Sequence, residues 1–349
     1  MFESWSKKIS TDYLIIGGSF AGSLLAAELN QYGKVVLVDR CIPGSLLNCG
    51  GGLPRDVFQN LSINIPSVKI DKMIFHFDEK EISFSCDYVV IDRAELDKKL
   101  LKKALAGGCK FLQGNYQNSS DENIAFFDNN RKERVISYKK IIFSNGINPC
   151  KNVLNFNKRI PKKSSGISYN EIIEQNNVEN NVINIYLDRE IGPGYAWVFP
   201  MPNQRINIGV GFLNERRFDP AFFKKFKKKN GIDGKILKKG GGHLPLFPET
   251  RVSLGNRYLF GDAAGMVYAL NGEGLKYIAE MTKIWANAIK NSKSLNSHWI
   301  RSRIFAKLFF GAICLKILLG IHKMTKLNFY GIATKISITI KKKLEKIKT

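Results

Sequence analysis

The spacing of apolar residues changes from strand-like to helix-like near the start of the chain. A continuous apolar run at 13–16 is followed by glycines and then by residues 23–29, whose apolar positions recur at helical spacing. A second apolar run at 34–38 predicts another buried strand. Strand, glycine turn, helix and strand in this order predict the first unit of a dinucleotide-binding α/β fold.

The middle of the chain shows the alternation of apolar and polar residues that is typical of half-buried strands. Residues 69–91 contain two alternating stretches separated by charged turn residues, and residues 124–135 repeat that arrangement, so each segment predicts a hairpin. Between them, residues 93–105 place four leucines on one face of a predicted helix. A buried strand at 139–143 follows, and strands joined by polar loops continue over 164–242.

Near its end the chain returns to the first pattern. A lysine-rich helix is predicted around 222–229, and residues 249–288 again follow the order strand, turn and helix. We therefore predict an α/β fold in which a two-segment, Rossmann-like dinucleotide domain is interrupted by a β-rich substrate domain and followed by a helical tail. The predicted boundaries are 10–65, 88–160 and 250–292 for the dinucleotide domain, 66–87 and 161–249 for the β-rich domain, and 293–349 for the tail.

The tail differs from the rest of the chain. Residues 304–321 are almost all apolar and just reach the length of a membrane span, but Lys307 and Lys316 fall on opposite sides of that helix and argue against a spanning segment. Beyond it, apolar residues at steps of three and four form one face over 329–347, with lysines elsewhere. This basic amphipathic pattern predicts an interfacial helix at an anionic membrane surface, and a helix packed on the protein is the alternative.

The charge balance is strongly basic. The 349 residues carry 54 Lys plus Arg against 30 Asp plus Glu, a formal charge of +24. This excess indicates either an anionic partner or the Lys, Asn and Ile enrichment of an AT-rich genome. We do not expect nucleic acid as a partner, because no nucleic-acid-binding motif accompanies the basic residues.

Composition limits the other function classes. With 44% apolar residues, a chain of this length buries a substantial core. The six cysteines include no CxxC pair and no histidine at ligand spacing, so neither a metal site nor a disulfide framework is expected. The first eight residues lack the apolar core of a signal peptide, which predicts a cytoplasmic location, with the inner face of the membrane as a peripheral site.

Two distant glycine-rich segments give the first functional signal. Residues 17–22 follow the first strand and open the first helix, so a pyrophosphate can approach the backbone and the free N–H groups there. Asp39 ends the second strand at about the offset, roughly 20 residues, where a carboxylate accepts from ribose hydroxyls. In the second segment, 261–265, Asp262 follows a strand and is placed to hold a hydroxyl of a flavin's ribityl chain. Together the segments predict a flavin dinucleotide site, and two unrelated strand-turns are the alternative.

An aromatic stripe lies between these segments. In a strand, the side chains of Tyr195, Trp197 and Phe199 point to one face, and a second strand follows at 206–211. The stripe indicates either the wall of a binding slot or ordinary core packing.

At these positions the chain resembles the geranylgeranyl reductase family of flavoproteins, over most of residues 10–290. The family's Tyr-x-Trp-x-Phe-Pro signature corresponds to Tyr195, Trp197, Phe199 and Pro200. The other matching motifs are 17–22, Asp39 with Arg40, 49–52, Arg93 with Asp97, 261–265 and 271–275. The resemblance implies a flavin monooxygenase-like fold, bound FAD, and hydride transfer from reduced flavin to a double bond of an isoprenoid lipid or other prenyl substrate.

The resemblance also implies roles for single residues. Cys49 is the candidate for a catalytic residue at the flavin's reactive face, with a buried structural thiol as the alternative, and the four signature residues would bind substrate. Arg93 would contact the cofactor, and a surface charge at a helix N-terminus is its alternative. The expected FAD contacts are Gly17, Ser19, Phe20, Ala21, Gly22, Asp39, Arg40, Gly50, Arg93, Gly261, Asp262, Gly272, Gly274 and Leu275.

Departures from the family pattern keep other functions open. Ser19 replaces the usual second glycine, and Asn145 with Gly146 replaces an Asp-Gly turn. A flavin-dependent monooxygenase or halogenase shares the predicted plan, although a halogenase Trp-x-Trp-x-Ile-Pro motif differs at its first and fifth places. A non-catalytic flavin-binding membrane protein is a further alternative. The electron donor, NADPH or another reductant, is left open because no second nucleotide fingerprint is found.

Overall fold

Over the residues that it describes, the computed structural model contains two eight-stranded sheets and the helices that cover them. The described residues are 9–47, 49–77, 80–119, 124–129, 132–147, 165–175, 179–188, 190–213 and 219–325. The strands are β1 (Ile9–Ile16), β2 (Val35–Asp39), β3 (Gly52–Pro54), β4 (Ser67–Phe77), β5 (Lys80–Ile91), β6 (Lys110–Gln113), β7 (Asn115–Ser119), β8 (Ile124–Asn129), β9 (Lys132–Phe143), β10 (Ser165–Glu174), β11 (Val182–Tyr186), β12 (Gly194–Met201), β13 (Arg205–Leu213), β14 (Lys235–Pro245), β15 (Ser253–Leu254) and β16 (Arg257–Leu259). The helices are α1 (Phe20–Leu29), α2 (Arg55–Asn60), α3 (Arg93–Ala106), α4 (Pro220–Lys229), α5 (Leu275–Lys290), α6 (Asn296–Ile300) and α7 (Arg303–Thr325).

The first sheet is the scaffold of the dinucleotide domain. Its main path has the order β15-β16-β9-β1-β2-β6, and β1 runs parallel to both β2 and β9. Most residues of β1 and β2 are apolar and buried, as expected for parallel strands covered on both faces. Helix α1 packs against α3 and α5, and the β7–β8 hairpin extends the sheet from β9. The predicted strand, turn, helix and strand are confirmed.

The second sheet belongs to the β-rich domain. Its order is β14-β10-β13-β12-β11-β4-β5-β3, and all neighbours are antiparallel except β11 and β4. On one face, Phe222, Phe223 and Phe226 of α4 pack against Ile206 and Ile208 of β13. The opposite face of the sheet turns toward the dinucleotide domain and forms one side of the cleft between the domains.

The predicted fold class is confirmed, and the places of two strands can be compared with the predicted domain boundaries. Both predicted hairpins form, since Met73 pairs with Phe84 and Ala125 with Ile136. The predicted boundary at residue 88 falls inside β5, which stays in the second sheet as far as Ile91. Strand β3 lies in the predicted segment 10–65 but also joins the second sheet, because it pairs with β5. The dinucleotide segments therefore contribute one strand to the β-rich sheet.

A buried ion pair joins the two domains. The Asp92 carboxylate caps α3 by accepting from the N–H of Ala94 at 2.9 Å, and it accepts from Nη1 of Arg205, the first residue of β13, at 2.9 Å. Nearby, the amine of Lys238 in β14 donates to the carbonyl of Gly44 at 3.2 Å. The two side chains are 17% and 10% exposed, so this contact helps to hold the domains against each other.

Helix α7 packs one face on the protein and exposes the other. Leu308, Ala312 and Leu315 are buried, whereas Phe310 and Ile317 are exposed. The segment Arg303–Ile321 is the one helix among the described residues that is long and apolar enough to cross a membrane. The predicted interfacial face over 329–347 lies outside the described residues.

Candidate active site

The first glycine segment forms a tight turn between β1 and α1. Gly17 has a φ of +98°, and a Cβ there would lie 2.6 Å from the carbonyl carbon and oxygen of Ser144. A Cβ on Gly22 would lie 1.8 Å from the Gly17 carbonyl oxygen, so only glycine fits either position. The Ser144 hydroxyl, which the sequence analysis missed, donates to the carbonyls of Ile16 and Gly17 and holds the turn. Ser19 begins α1 without a side-chain cap, which leaves the first N–H groups of the helix available to an anion.

Asp39 ends β2 beside this turn, as predicted. Its carboxylate accepts from the N–H of Gly18 at 2.6 Å and from the N–H of Cys41 at 3.0 Å. These bonds hold the carboxylate at the glycine turn. Arg40 is exposed, and its carbonyl accepts from the Gln113 side chain.

The second glycine segment meets the first in space, although Ala21 and Gly261 are 240 positions apart in the chain. Gly261 has a φ of +68°, and a Cβ there would lie 2.7 Å from the Cβ of Ala21 in α1. Asp262 follows in a 3-10 turn, and its Oδ1 would lie 3.9 Å from a Cβ on Gly274, which precedes Leu275 at the start of α5. The two segments therefore form one cleft, and the N-termini of α1 and α5 both open toward it.

Burial raises the pKa of Asp262 to about 6, although the charge of Arg93 acts in the opposite direction. An acid with that pKa is largely ionised at pH 7.5. A partly desolvated carboxylate forms strong hydrogen bonds with hydroxyl donors, so Asp262 is suited to hold a sugar alcohol.

Arg93 begins α3 and lies inside the cleft rather than on the surface. Its guanidinium bonds to Asp97 at 3.0 Å, lies beside the Cys49 side chain and lies 5.4 Å from the centre of the Phe20 ring. Burial alone would lower the pKa of Arg93, but Asp97 and Cys49 outweigh burial and raise it, so the side chain stays charged. Its Nε is buried and has no hydrogen-bond partner among the described residues, which leaves one donor for a bound group.

The Cys-Gly-Gly-Gly run passes between β5 and the aromatic stripe. The Cys49 thiol is partly buried and accepts from the N–H of Gly51 at 3.4 Å. A Cβ on Gly50 would lie 2.9 Å from the Phe199 ring, and a Cβ on Gly51 would lie 2.3 Å from the carbonyl oxygen of Ile91. Glycine at both positions is what allows this loop to pack so close to its neighbours.

The three aromatic residues share one face of β12, as the alternation predicted. The ring centroids lie 5.8 Å apart for Tyr195 and Trp197 and 6.1 Å apart for Trp197 and Phe199. The Tyr195 hydroxyl donates to the carbonyl of Asn271 at 2.6 Å, so the stripe reaches the loop that precedes α5. We call these three residues the aromatic wall. Pro200 lies on the opposite face of the strand and is not part of the wall.

Two buried asparagines connect the aromatic wall to the Cys49 loop, and the sequence analysis missed both. Oδ1 of Asn207 accepts from Nε1 of Trp197 at 2.9 Å. The Cys49 carbonyl accepts from the side-chain amides of Asn207 at 3.2 Å and Asn170 at 3.3 Å. The alternation of the strand at 206–211 places Asn207 on the same face as the wall residues opposite it, and that is the signal that points to it.

These contacts bring the predicted segments around one cleft between the domains. Backbone amides, Arg93 and Asp262 border one side, and the aromatic wall borders the other. At the end near α5, a Cβ on Gly272 would lie 3.5 Å from the Tyr195 hydroxyl oxygen, and Glu273 accepts from the Tyr88 hydroxyl at 3.1 Å. The amide side suits a phosphate-linked cofactor, and the ring side suits an apolar chain.

Comparison with protein families and curated proteins supports the resemblance. Residues 165–244 match the family model of the geranylgeranyl reductase catalytic domain. The digeranylgeranylglycerophospholipid reductase of Sulfolobus acidocaldarius is 22% identical over 303 residues, which are 77% of this chain and 66% of that protein. The geranylgeranyl diphosphate reductase of Rhodobacter capsulatus is 26% identical over 76% of this chain and 71% of that protein. The menaquinone reductase of Mycobacterium tuberculosis is 26% identical over 83% of this chain and 79% of that protein.

Solved structures support the fold. A geranylgeranyl bacteriochlorophyll reductase-like protein from Thermoplasma acidophilum has a TM-score of 0.76 at 18% identity, covering 88% of this chain and 87% of that chain. A flavin-dependent brominase has a TM-score of 0.65 at 14% identity, covering 96% of this chain and all of that chain. The comparisons confirm the resemblance to the geranylgeranyl reductases and the flavin monooxygenase-like fold, and they support the prediction of an FAD-dependent oxidoreductase.

Proposed function

We propose that this chain is an FAD-dependent reductase that saturates carbon–carbon double bonds of an isoprenoid chain. The observation that carries the proposal is the meeting of both glycine segments and the aromatic wall around one cleft. The match of residues 165–244 to the geranylgeranyl reductase catalytic domain supports the same function.

The residues on the amide side of the cleft fit FAD. Gly17 and Gly22 leave room for a pyrophosphate at the N-terminus of α1, Asp39 faces the ribose position, and Asp262 is placed for a ribityl hydroxyl. Nε of Arg93, which has no hydrogen-bond partner in the described part of the chain, supplies a further donor. When FAD is bound and reduced, it supplies the hydride that the double bond receives.

The aromatic wall would bind and orient the isoprenoid chain. An unactivated alkene offers little to polar groups, so its binding depends on apolar contact, about 25 cal/mol per Å² of buried apolar surface. The rings of Tyr195, Trp197 and Phe199 exclude water and hold the chain against the flavin side of the cleft. Holding reacting groups in a near-attack arrangement supplies a large part of a rate enhancement.

Cys49 would line the reactive face of the flavin. Its thiol lies beside the Arg93 guanidinium and accepts from the N–H of Gly51, and its carbonyl accepts from Asn170 and Asn207, so the residue is held at both its side chain and its main chain. The arrangement therefore places a polarisable sulfur between Arg93 and the aromatic wall.

A single-turnover experiment tests the reductase function. Purified protein with its flavin is reduced by dithionite, and in a parallel sample by NADPH, without oxygen, and is then mixed with geranylgeranyl diphosphate. We expect the flavin absorbance to return and the product mass to rise by two hydrogens for each bond reduced. Reoxidation by oxygen alone, with peroxide or a hydroxylated or halogenated product, would instead indicate a monooxygenase or halogenase. Flavin that no prenyl acceptor reoxidises would indicate a non-catalytic protein.

We also propose that α7 contacts an anionic membrane surface, where a long prenyl chain is found. The amine of Lys307 lies 5.5 Å from the centre of the Tyr268 ring, and the amine of Lys316 lies 5.1 Å from the centre of the Phe247 ring. Between them, the outer face of the helix is apolar, and Phe310 is 63% exposed. Apolar burial of this face, with an attraction of about 1 kcal/mol for each nearby lysine, would hold the protein at anionic lipid.

Vesicle cosedimentation tests this contact with point variants, because removing α7 would expose the residues on which it packs. We expect the intact protein to pellet with phosphatidylglycerol vesicles at low salt and not with phosphatidylcholine vesicles. Replacing Phe310 and Ile317 together by serine should abolish pelleting, while the control Leu237→Ser, an exposed apolar residue of β14, should not. Equal pelleting of all three proteins would contradict the role of α7.

A further inference from the structure

The side-chain amide of Asn207 bonds both to the aromatic wall and to the main chain of the Cys49 loop. Its Oδ1 accepts from the Trp197 indole at 2.9 Å, and its Nδ2 donates to the Cys49 carbonyl at 3.2 Å. Asn170, on the neighbouring strand β10, adds a second donor to the same carbonyl at 3.3 Å and lies 3.5 Å from Oδ1 of Asn207. One amide group thus connects the substrate side of the cleft to the loop on the flavin side.

Both asparagines are only 1% exposed. Burying an amide away from water is unfavourable unless its hydrogen bonds are made. Asn207 uses its donor and its acceptor in the bonds described above, whereas Oδ1 of Asn170 has no partner among the described residues. Asn207 is therefore the better-satisfied link, and Asn170 supports it from one side.

The indole of Trp197 is also restrained from the strand and from the loop. A Cβ on Gly209, its register partner on β13, would lie 2.2 Å from the indole ring, so glycine there lets the ring lie against the sheet. A Cβ on Gly50 would lie 3.3 Å from Nε1 of Trp197. The ring thus has sheet backbone on one side, the Cys49 loop on another, and Asn207 at its only polar atom.

We infer that Asn207 is a positioning residue that sets the distance between the aromatic wall and the Cys49 loop. This inference rests on the proposed reductase function, because that distance determines how high a double bond on the wall lies above the flavin. The side chain needs no contact with substrate to act in this way. Loss of the link lowers the rate of hydride transfer and leaves the affinity for the chain nearly unchanged, since the rings that bind the chain remain.

A double-mutant cycle measures the link. The variants are Asn207→Val, Trp197→Phe, which keeps an aromatic ring but lacks the indole N–H, and both together. Each protein is reduced with dithionite and reoxidised by geranylgeranyl diphosphate, and the limiting rate and the apparent Kd are read from the concentration dependence. We expect Asn207→Val to lower the limiting rate about tenfold, equivalent to about 1.4 kcal/mol, with a change in Kd below threefold. In the Trp197→Phe background the same substitution should lower the rate less than threefold.

Ile208→Val is the matched control, because Ile208 is buried beside Asn207 on the opposite face of β13. The substitution removes one buried methyl group from the same strand and leaves the hydrogen bonds of Asn207 in place. Its limiting rate should stay within twofold of the wild type. An effect of Asn207→Val below threefold, or an equal effect in both backgrounds, would overturn the inference, as would an equal rate loss in Ile208→Val.

Hydrogen exchange of the indole N–H groups gives a readout that does not depend on turnover. In protein labelled with ¹⁵N-tryptophan, Asn207→Val should speed the exchange of Trp197 and leave Trp285 and Trp299 unchanged, since those indoles donate to the carbonyls of Leu259 and Glu249. An unchanged exchange rate of the Trp197 indole N–H would show that Asn207 does not hold the indole. Wild-type flavin that geranylgeranyl diphosphate cannot reoxidise, together with faster Trp197 exchange in the variant, would contradict the proposed function and not the link.

Discussion

Asp262 should destabilise the protein when FAD is absent. Burial raises the pKa of this carboxyl from 3.8 to about 6 in the folded state. Because the folded protein binds the proton more tightly than the unfolded chain, the group weakens folding as the pH rises through this interval. The full effect above pH 6 corresponds to about 3 kcal/mol, and about half of it is present at pH 5.

Asp262→Asn removes that penalty because an amide does not ionise. Urea unfolding of apoprotein, compared between the wild type and this variant at pH 5.0 and pH 7.5, measures the effect. We expect the variant to be more stable at pH 7.5 by as much as about 3 kcal/mol, with a smaller difference at pH 5.0. If the free energies of unfolding of the two proteins differ by the same amount at both pH values, the carboxyl is well solvated and the reasoning is refuted.

The same residue should have the opposite effect in the protein with bound FAD. If Asp262 holds a cofactor hydroxyl as we propose, its removal leaves that hydroxyl without a partner, at a cost of about 1–3 kcal/mol. Asp262→Ala should therefore purify largely without flavin, and the ratio of flavin to protein absorbance measures this. Full flavin content in that variant would mean that the second glycine segment does not contact the cofactor.

Two further substitutions test the turn and the wall. Gly22→Ala should lose flavin while keeping its helical circular dichroism, because its Cβ would meet the Gly17 carbonyl oxygen at 1.8 Å. The control is Gly320→Ala in α7, where an added Cβ would meet nothing within 4 Å among the described residues outside its own helix, and this variant should keep its flavin. Trp197→Ala should lower the free energy of unfolding by about 3–5 kcal/mol and reduce prenyl turnover while retaining FAD. Unchanged kinetics on geranylgeranyl diphosphate would show that the ring serves only in core packing.

The sequence predicted the parts of the site whose signal is local. The turn at 17–22, Asp39 and the three rings of the aromatic wall follow from strand alternation and glycine spacing, and each occupies the element expected for it. Pro200 shows the limit of a motif, because it belongs to the signature but alternates away from the wall.

The residues that the sequence left out depend on distant partners. Asn170 and Asn207 become informative only when β10 and β13 pair and the Cys49 loop crosses them, which no local pattern encodes. Arg93, in contrast, was named from the resemblance, because its local sequence is that of an ordinary helix start. Only the packing of α3 against Phe20 buries it, beside Asp97 one turn further along the same helix, and this excludes the surface charge that was its alternative.

The contact between Ala21 and Gly261 sets the time at which the cofactor can enter during synthesis. The N-terminal glycine turn leaves the ribosome long before the segment that completes the site, and closing so long a loop is slow. If FAD binds at this site, it can be held only after Lys290 has emerged and α5 has formed. FAD would then contact both glycine segments at once, and its binding would stabilise the folded state by mass action. Cells short of FAD should therefore accumulate a full-length but easily degraded apoprotein, and the supply of cofactor would set how much of this protein survives.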